Sequence, residues 1–243
     1  MSEDGFFTIL DTVDSTNNYA MQQAQHGLAK HGRAWFANEQ TAGKGQRGKS
    51  WASEKGKNIA MSLVLDPGQL QITSQFHLSA LVALACFEFL KHHAGHEMKI
   101  KWPNDLFWRD RKAGGILIEN KFLGKAWKWA VVGIGININQ RVFNKELSNA
   151  VSLQQITGKN FEAVALAKEL HSLLMKKLAE ALSPDETLQQ YNQHLYKINE
   201  LVTLRKTGVK FETIIKEVSA QGRLITVDAI EREFDFGEVE WVL

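Results

Sequence analysis

Between Met98 and Asn139 the chain packs four strand-like segments so closely that an antiparallel meander is the natural way to join them. Met98-Lys99-Ile100-Lys101-Trp102 alternates in polarity, Pro103-Asn104-Asp105 carries turn chemistry, and Leu106 opens a second segment. Arg109-Asp110-Arg111 turns the chain into a third, Lys112 to Glu119. The fourth, Ala126 to Asn139, holds Trp127, Trp129, Val131, Val132, Ile134, Ile136 and Ile138. A parallel crossover needs a dozen or more residues, which these connections lack. Two of the segments carry interior glycines, the pair Gly114-Gly115 and the alternating Gly133 and Gly135. Glycine weakens a strand unless something must approach its backbone.

The rest of the chain supplies what such a sheet must bury itself against. Phe6 to Leu10, Ala34 to Ala37 and Asn58 to Leu65 read as further strands. Tyr19 to His26, Thr73 to about His93, Phe161 to Leu182 and Pro184 to about Leu195 carry helical spacing. From Leu201 the texture changes to short alternating strands, among them 202–204, 211–215, 224–227 and 239–242. The expected class is α+β: a mixed, largely antiparallel sheet packed with helices over residues 1–197, then a small β unit over 198–243. Residues 140–150 are polar and read as a loop.

Composition excludes several classes. Of 243 residues, 44% are hydrophobic, enough for a sizeable core. The one cysteine, Cys86, lies in an apolar run and reads as a buried, inert thiol, so a disulfide framework is out and a cytoplasmic setting fits. Met1 to Gly5 is acidic, without the apolar core of a targeting peptide, and no apolar run approaches membrane-spanning length. A pI near 8.5 is too mild to argue for nucleic-acid binding. His92, His93 and His96 read as a solvated helix end, because adjacent helical residues point in different directions.

Two polar stretches exceed what structure alone requires. Asp11 to Asn18 offers hydrogen-bonding side chains at every position but Val13, where a helix cap needs one. Gln40 to Trp51 combines Gly43, Gly45 and Gly48 with Lys44, Arg47 and Lys49, and residues 40–57 hold five cations against Glu54 alone. Glycines and cations together suit a polyphosphate, though a solvated surface loop has the same composition. Gly43 to Ser50 also satisfies the Walker A pattern, and Leu63-Val64-Leu65-Asp66 imitates a Walker B strand. A P-loop must run directly into a helix, whereas Trp51 to Lys57 has no apolar helical face and the next strand opens at Asn58. The strands flanking this loop are therefore expected to be antiparallel.

Ser15-Thr16-Asn17, Gln40 to Trp51, Lys101-Trp102-Pro103-Asn104-Asp105, Lys112 to Leu117 and Gly133-Ile134-Gly135-Ile136-Asn137, in this order, resemble the biotin–protein ligases (biotin–[acetyl-CoA-carboxylase] ligases) over essentially the whole chain. The most specific block is Lys101 to Asp105, followed seven residues later by Lys112. The resemblance implies a class II synthetase-like catalytic domain with a C-terminal SH3-like barrel. It also implies a two-step reaction: biotin and ATP give biotinyl-5′-AMP and pyrophosphate, then a lysine of a biotin carboxyl carrier domain takes the biotin and AMP leaves. Some members carry an N-terminal DNA-binding domain. Here the catalytic pattern begins at the first strand, which points to the ligase-only form without DNA binding.

By the same resemblance, Ser15, Thr16, Asn17 and Gln40 would meet the biotin ureido ring, with Gly43, Lys44, Gly45, Gln46, Lys112, Gly114 and Gly115 completing the biotin site. Lys44, Arg47, Gly48, Lys49, Trp51, Lys112 and Asn137 would hold ATP or the adenylate, Trp51 by stacking on adenine. Lys112, Lys44 and Asp105 would act at the reacting centre. Mg²⁺ would accompany ATP near Asn137, with no protein ligand assigned. Many relatives have Arg where this chain has Lys44, Gln46 and Lys49. The lysines keep charge but lose bidentate geometry, and Gln46 loses charge outright. A lipoate-type ligase, a P-loop nucleotidase and a basic RNA-binding module are the rival readings. An exposed sheet edge could pair two copies, but none is located in the sequence.

Overall fold

In a computed structural model, residues 6–242 are described, apart from Gln71, Thr73 and Ala181. Met1 to Gly5 and the expected helix start at Thr73 fall outside the described residues.

The first seven strands form one sheet. They are β1 (Phe7–Val13), β2 (Ala34–Gln40), β3 (Ile59–Leu65), β4 (Met98–Lys101), β5 (Asp105–Trp108), β6 (Arg111–Leu123) and β7 (Ala126–Ile136). Their order is β1-β2-β3-β7-β6-β5-β4. Only β1 and β2 run parallel, joined through helix α1 (Thr16–Gln25); every other pair is antiparallel. The meander from 98 to 136 is thus as expected, and so are the antiparallel strands β2 and β3 on either side of the Gly-rich loop. No helix follows Ser50, which removes the P-loop reading.

β3, in the middle of the sheet, is buried at every residue because both of its own faces are covered. Met61, Leu63 and Leu65 share the main core with Phe36, Val132 and Ile134. Two helices close that face: α2 (Gln75–Ala94) and α4 (Ala163–Ala179). Ser74 caps α2, accepting the His77 N–H at 3.1 Å, and Gly95 ends it at φ 86°. Trp35, Val64 and Val131 point the other way, onto Ala20 and Ala24 of α1. α1 covers only part of that second face, and the rest stays open.

Two elements escaped the sequence reading. A short helix α3 (Leu153–Thr157) holds a Ser152–Gln155 capping box within only five residues, too short for periodicity to reveal. Helix α5 (Pro184–Gln193) lies where expected. The C-terminal sheet has five strands: β8 (Leu201–Lys206), β9 (Val209–Val218), β10 (Leu224–Val227), β11 (Glu231–Phe234) and β12 (Glu240–Trp241). They run in the order β11-β10-β9-β8-β12, with all pairs antiparallel. β11, Glu-Arg-Glu-Phe, is too charged to announce itself as a strand. No helix among the described residues is long and apolar enough to cross a membrane.

Candidate active site

The open part of the second sheet face is a cleft. Register places Ala60 opposite Gly135 and Ser62 opposite Gly133 on β3 and β7, with Gly115 and Leu117 of β6 on the far side of the two glycines. Both glycines are occupied by other side chains. A Cβ on Gly133 would lie 2.1 Å from Asn17 Oδ1, and one on Gly135 would lie 2.4 Å from the Trp51 indole. The period-two glycines therefore form a cradle, one position for the start of α1 and one for the end of the Gly-rich loop. The cleft is lined by Ser15, Thr16, Asn17, Gln40, Lys44, Gly45, Gln46, Trp51, Lys112 and Gly115, all expected from sequence.

At one end the polar side chains are mutually fixed. Gln40 Oε1 accepts from the Thr16 N–H at 2.8 Å and lies 3.0 Å from Thr16 Oγ1. Ser62 Oγ stands 2.7 Å from Thr16 Oγ1 and 2.6 Å from Asn17 Oδ1. Asn17 Nδ2 donates to Glu119 Oε2 at 2.8 Å. Ser15 caps α1, and its Oγ accepts the Asn18 N–H at 3.5 Å. Ser15, Thr16 and Asn17 are all almost fully buried. Their mutual hydrogen bonds offset the cost of burying so many polar groups and hold them in fixed orientations at the cleft.

The Gly-rich loop is a hairpin of its own. Lys44 bridges Ser50, the Gly45 N–H donates to Lys49 O at 2.7 Å, and the Trp51 N–H donates to Gly43 O at 2.8 Å. Arg47 and Gly48 turn it at φ 55° and 74°, two successive left-handed residues, as in a type I′ turn. Gly43 is wedged between Trp51 O and the Gln40 amide, with no room for a side chain. Inside the hairpin, Gln46 Oε1 and Trp51 Nε1 are buried without a hydrogen-bond partner. Both residues line the cleft, so two polar atoms are left for a ligand to satisfy.

At the other end Lys112 Nζ sits 2.7 Å from Asp105 Oδ1 and 5.7 Å from the centre of the Trp51 ring. The β5–β6 register creates this pair by setting Asp105 opposite Gly115. Neighbouring Lys101 is almost fully buried, its Nζ 5.0 Å from the centre of the Phe107 ring and 5.1 Å from that of Trp241. Burial pushes its pKa down to about 8.

Several expected residues stand apart from the cleft lining. Gly114 faces the core, its missing Cβ directed at Ile136 and Leu106. Arg47 donates from Nη1 to Gly237 O at 3.0 Å and lies over Phe236, both in the C-terminal unit. Gly48 and Lys49 are exposed on the hairpin. Asn137 is buried, with Nδ2 donating to Lys112 O at 3.3 Å and Val151 O at 3.2 Å, so its amide ties β7 to the segment before α3. Sequence reasoning missed Ser62, Asn104 and Glu119. Asn104 lines the cleft and its Nδ2 donates to Ile116 O at 2.6 Å. Asn104 lies in the Lys101–Asp105 block and could have been found there. Ser62 and Glu119 occupy alternating positions of β3 and β6, where only the register reveals them.

A family model described as the biotin/lipoate A/B protein ligase family matches residues 9–137, a span that contains every cleft residue named above. The bifunctional ligase/repressor BirA of Escherichia coli is 31% identical over 97% of this chain and 74% of its own length. The chain belongs to the biotin/lipoate A/B protein ligase family. Another relative, a biotin–[acetyl-CoA-carboxylase] ligase of Paracoccus denitrificans, is 40% identical over 54% of this chain and 53% of its own length. The chain also superposes on a biotin protein ligase from Aquifex aeolicus in complex with biotin and ATP. There the TM-score is 0.78 and identity 26%, covering 96% of this chain and 97% of the other. That coverage carries the ligase-family likeness beyond the matched model span, through the C-terminal sheet.

Proposed function

We propose that this chain is a biotin–protein ligase that forms biotinyl-5′-AMP from biotin and ATP and passes the biotin to a lysine of a carboxyl-carrier domain. The observation that carries this reading is the convergence of Ser15, Thr16, Asn17 and Gln40 with Lys44, Trp51 and Lys112 on one glycine-floored cleft. The polar end suits the ureido ring, which offers one carbonyl acceptor and two N–H donors. The cationic end suits a carboxylate meeting a phosphate.

In the first step a biotin carboxylate oxygen bonds to the α-phosphorus of ATP, the bond to the β-phosphate oxygen breaks, and pyrophosphate carries away the electron pair. Two anions must approach, so stabilisation is electrostatic. Lys112 and Lys44 stand at the cleft to supply it, and Lys49, exposed on the hairpin outside the cleft lining, would reach the departing phosphates only by turning inward. No enzyme nucleophile is required, because orientation and charge neutralisation suffice. In the second step the acceptor lysine attacks the mixed anhydride and AMP leaves. In this reading Asp105, which is paired with Lys112, receives a proton from that incoming lysine.

Mg²⁺ fits as a companion of ATP rather than as a protein-held ion. Both nearby carboxylates are already paired, Asp105 with Lys112 and Glu119 with Asn17. Magnesium keeps most of its ligands as phosphate oxygen and water, and it would neutralise phosphate charge there. His92, His93 and Glu169 form a separate cluster on helices α2 and α4, which pack on the opposite sheet face.

The deciding assay is exchange of labelled pyrophosphate into ATP with biotin, lipoate or no acid. Exchange with biotin alone is expected. Exchange with lipoate would move the chain to the other branch of its family, and exchange without acid would defeat the reading.

A further inference from the structure

The hydrogen-bond network at the ureido end has a direction, set mainly by Glu119 at 2.8 Å from Asn17 Nδ2, with the longer contact of the same nitrogen to Leu117 O at 3.4 Å in support. Glu119 lies on β6, two residues beyond Leu117 of the cleft wall, and Oε2 accepts from Asn17 Nδ2 at 2.8 Å. A carboxylate can only accept, so the Asn17 amide must present nitrogen to Glu119 and oxygen to Ser62. Ser62 has a single hydrogen, and the only group 2.6 Å away that must receive one is Asn17 Oδ1. Ser62 therefore has no hydrogen left for Thr16, 2.7 Å away. Thr16 has one hydroxyl hydrogen and two protein acceptors, Ser62 Oγ at 2.7 Å and Gln40 Oε1 at 3.0 Å. Whichever it chooses, that hydrogen is spent inside the protein. Towards the cleft Thr16 can offer only a lone pair. Ser15 is its complement: its Oγ accepts a backbone N–H, and its own hydrogen has no acceptor among the described residues.

We propose that Glu119 is a positioning residue for acid selection. Through Asn17 it commits the Ser62 hydrogen away from Thr16, so that the Thr16 oxygen faces the cleft as an acceptor not already used by Ser62, beside Ser15 as a donor, a pair that matches a ligand presenting an N–H next to a carbonyl. This inference rests on the biotin reading above and explains how the site selects a ureido group over an acid without N–H donors. Glu119 also forms an ion pair with Lys44 Nζ at 3.8 Å, longer than a hydrogen bond and half exposed, a contact that a ligand anion can compete with.

The acceptor role and the charge role separate by substitution. Glu119→Met has similar length and no strong acceptor, whereas Glu119→Gln keeps an acceptor oxygen and removes the charge. We expect Glu119→Met to weaken biotin binding at least ten-fold by calorimetry without ATP, with Glu119→Gln within three-fold of the parent. In a Thr16→Val background the Glu119→Met change should add nothing, because its route to the ligand is gone. Gln as damaging as Met, Met within two-fold of the parent, or full additivity with Thr16→Val would each overturn the proposal. Melting temperatures monitor the fold. Should Glu119→Met not fold, Ser62→Ala breaks the same chain one link further on and carries the same expectation of non-additivity. A parent protein that does not bind biotin at all would refute the biotin reading itself, a result distinct from any variant pattern.

Discussion

At the scale of residues, the two glycines of β7 seat two different side chains of the cleft, which the proposed function gives to different ligands. Asn17 rests on Gly133 and Trp51 on Gly135, each closer than any Cβ would allow. Gly135→Ala should push Trp51 off its seat and raise KM for ATP at least ten-fold, leaving biotin affinity within three-fold. Gly133→Ala should do the reverse, by displacing Asn17. Equal effects of both changes on both ligands, measured by steady-state kinetics and biotin calorimetry, would sink this division. The glycines were legible in the sequence as an oddity: small residues at period two inside an otherwise bulky strand. Their tenants were not, because Asn17 and Trp51 are far away along the chain. Lys112 and Asp105 were more readable, since one short hairpin joins them. Glu119 had no sequence signal, being one acid among several in a half-exposed strand.

At the scale of elements, the decisive unit is the hairpin of residues 43–51. Sequence reasoning predicted its setting between antiparallel strands from chain length alone. It assigned Arg47 to phosphate, whereas the structure sends the guanidinium to Gly237 O, a partner 190 residues away. A non-glycine residue in the left-handed region costs about 1 kcal/mol or more, and something must hold it there. Gly237 O and the Phe236 ring are what touch Arg47. Gly237 is itself at φ 87°, and a Cβ on it would fall 2.4 Å from Arg47 Nη1. Gly237→Ala should therefore release the hairpin tip and cost about 1–2 kcal/mol in urea unfolding. Amide exchange over residues 44–50 should speed up several-fold. Unchanged exchange there, with the C-terminal sheet intact, would mean that the hairpin stands without this contact.

At the scale of the whole molecule, the C-terminal sheet is joined to the catalytic sheet through the same block that positions the site. Trp102 Nε1 donates to Gly222 O at 2.9 Å, its ring meets Phe236 edge-on, and Lys101 lies beneath Trp241. The sequence showed two textures but not this joint, because no local pattern reports a contact across 120 residues. Lys101 makes the joint pH-sensitive. Burial lowers its pKa from 10.5 to about 8 in the folded chain. Below pH 8 the ammonium is charged in both states, and keeping it buried costs the fold. Between pH 8 and about 10.5 the folded chain has released that proton while the unfolded chain still holds it, so stability rises with pH. The full increment is of order 3 kcal/mol. From about pH 9 burial of the Cys86 thiol opposes this gain, because the unfolded chain ionises it while the fold keeps it protonated, and above pH 10 the trend reverses as the buried Tyr191 and Tyr196 hydroxyls do the same. Urea midpoints should therefore climb from pH 8 to about 9. Lys101→Met should be more stable than the parent at pH 7 and should flatten that climb. A parent curve flat between pH 8 and 9 would show that Lys101 keeps its charge at the joint, held by the Phe107 and Trp241 faces that flank it.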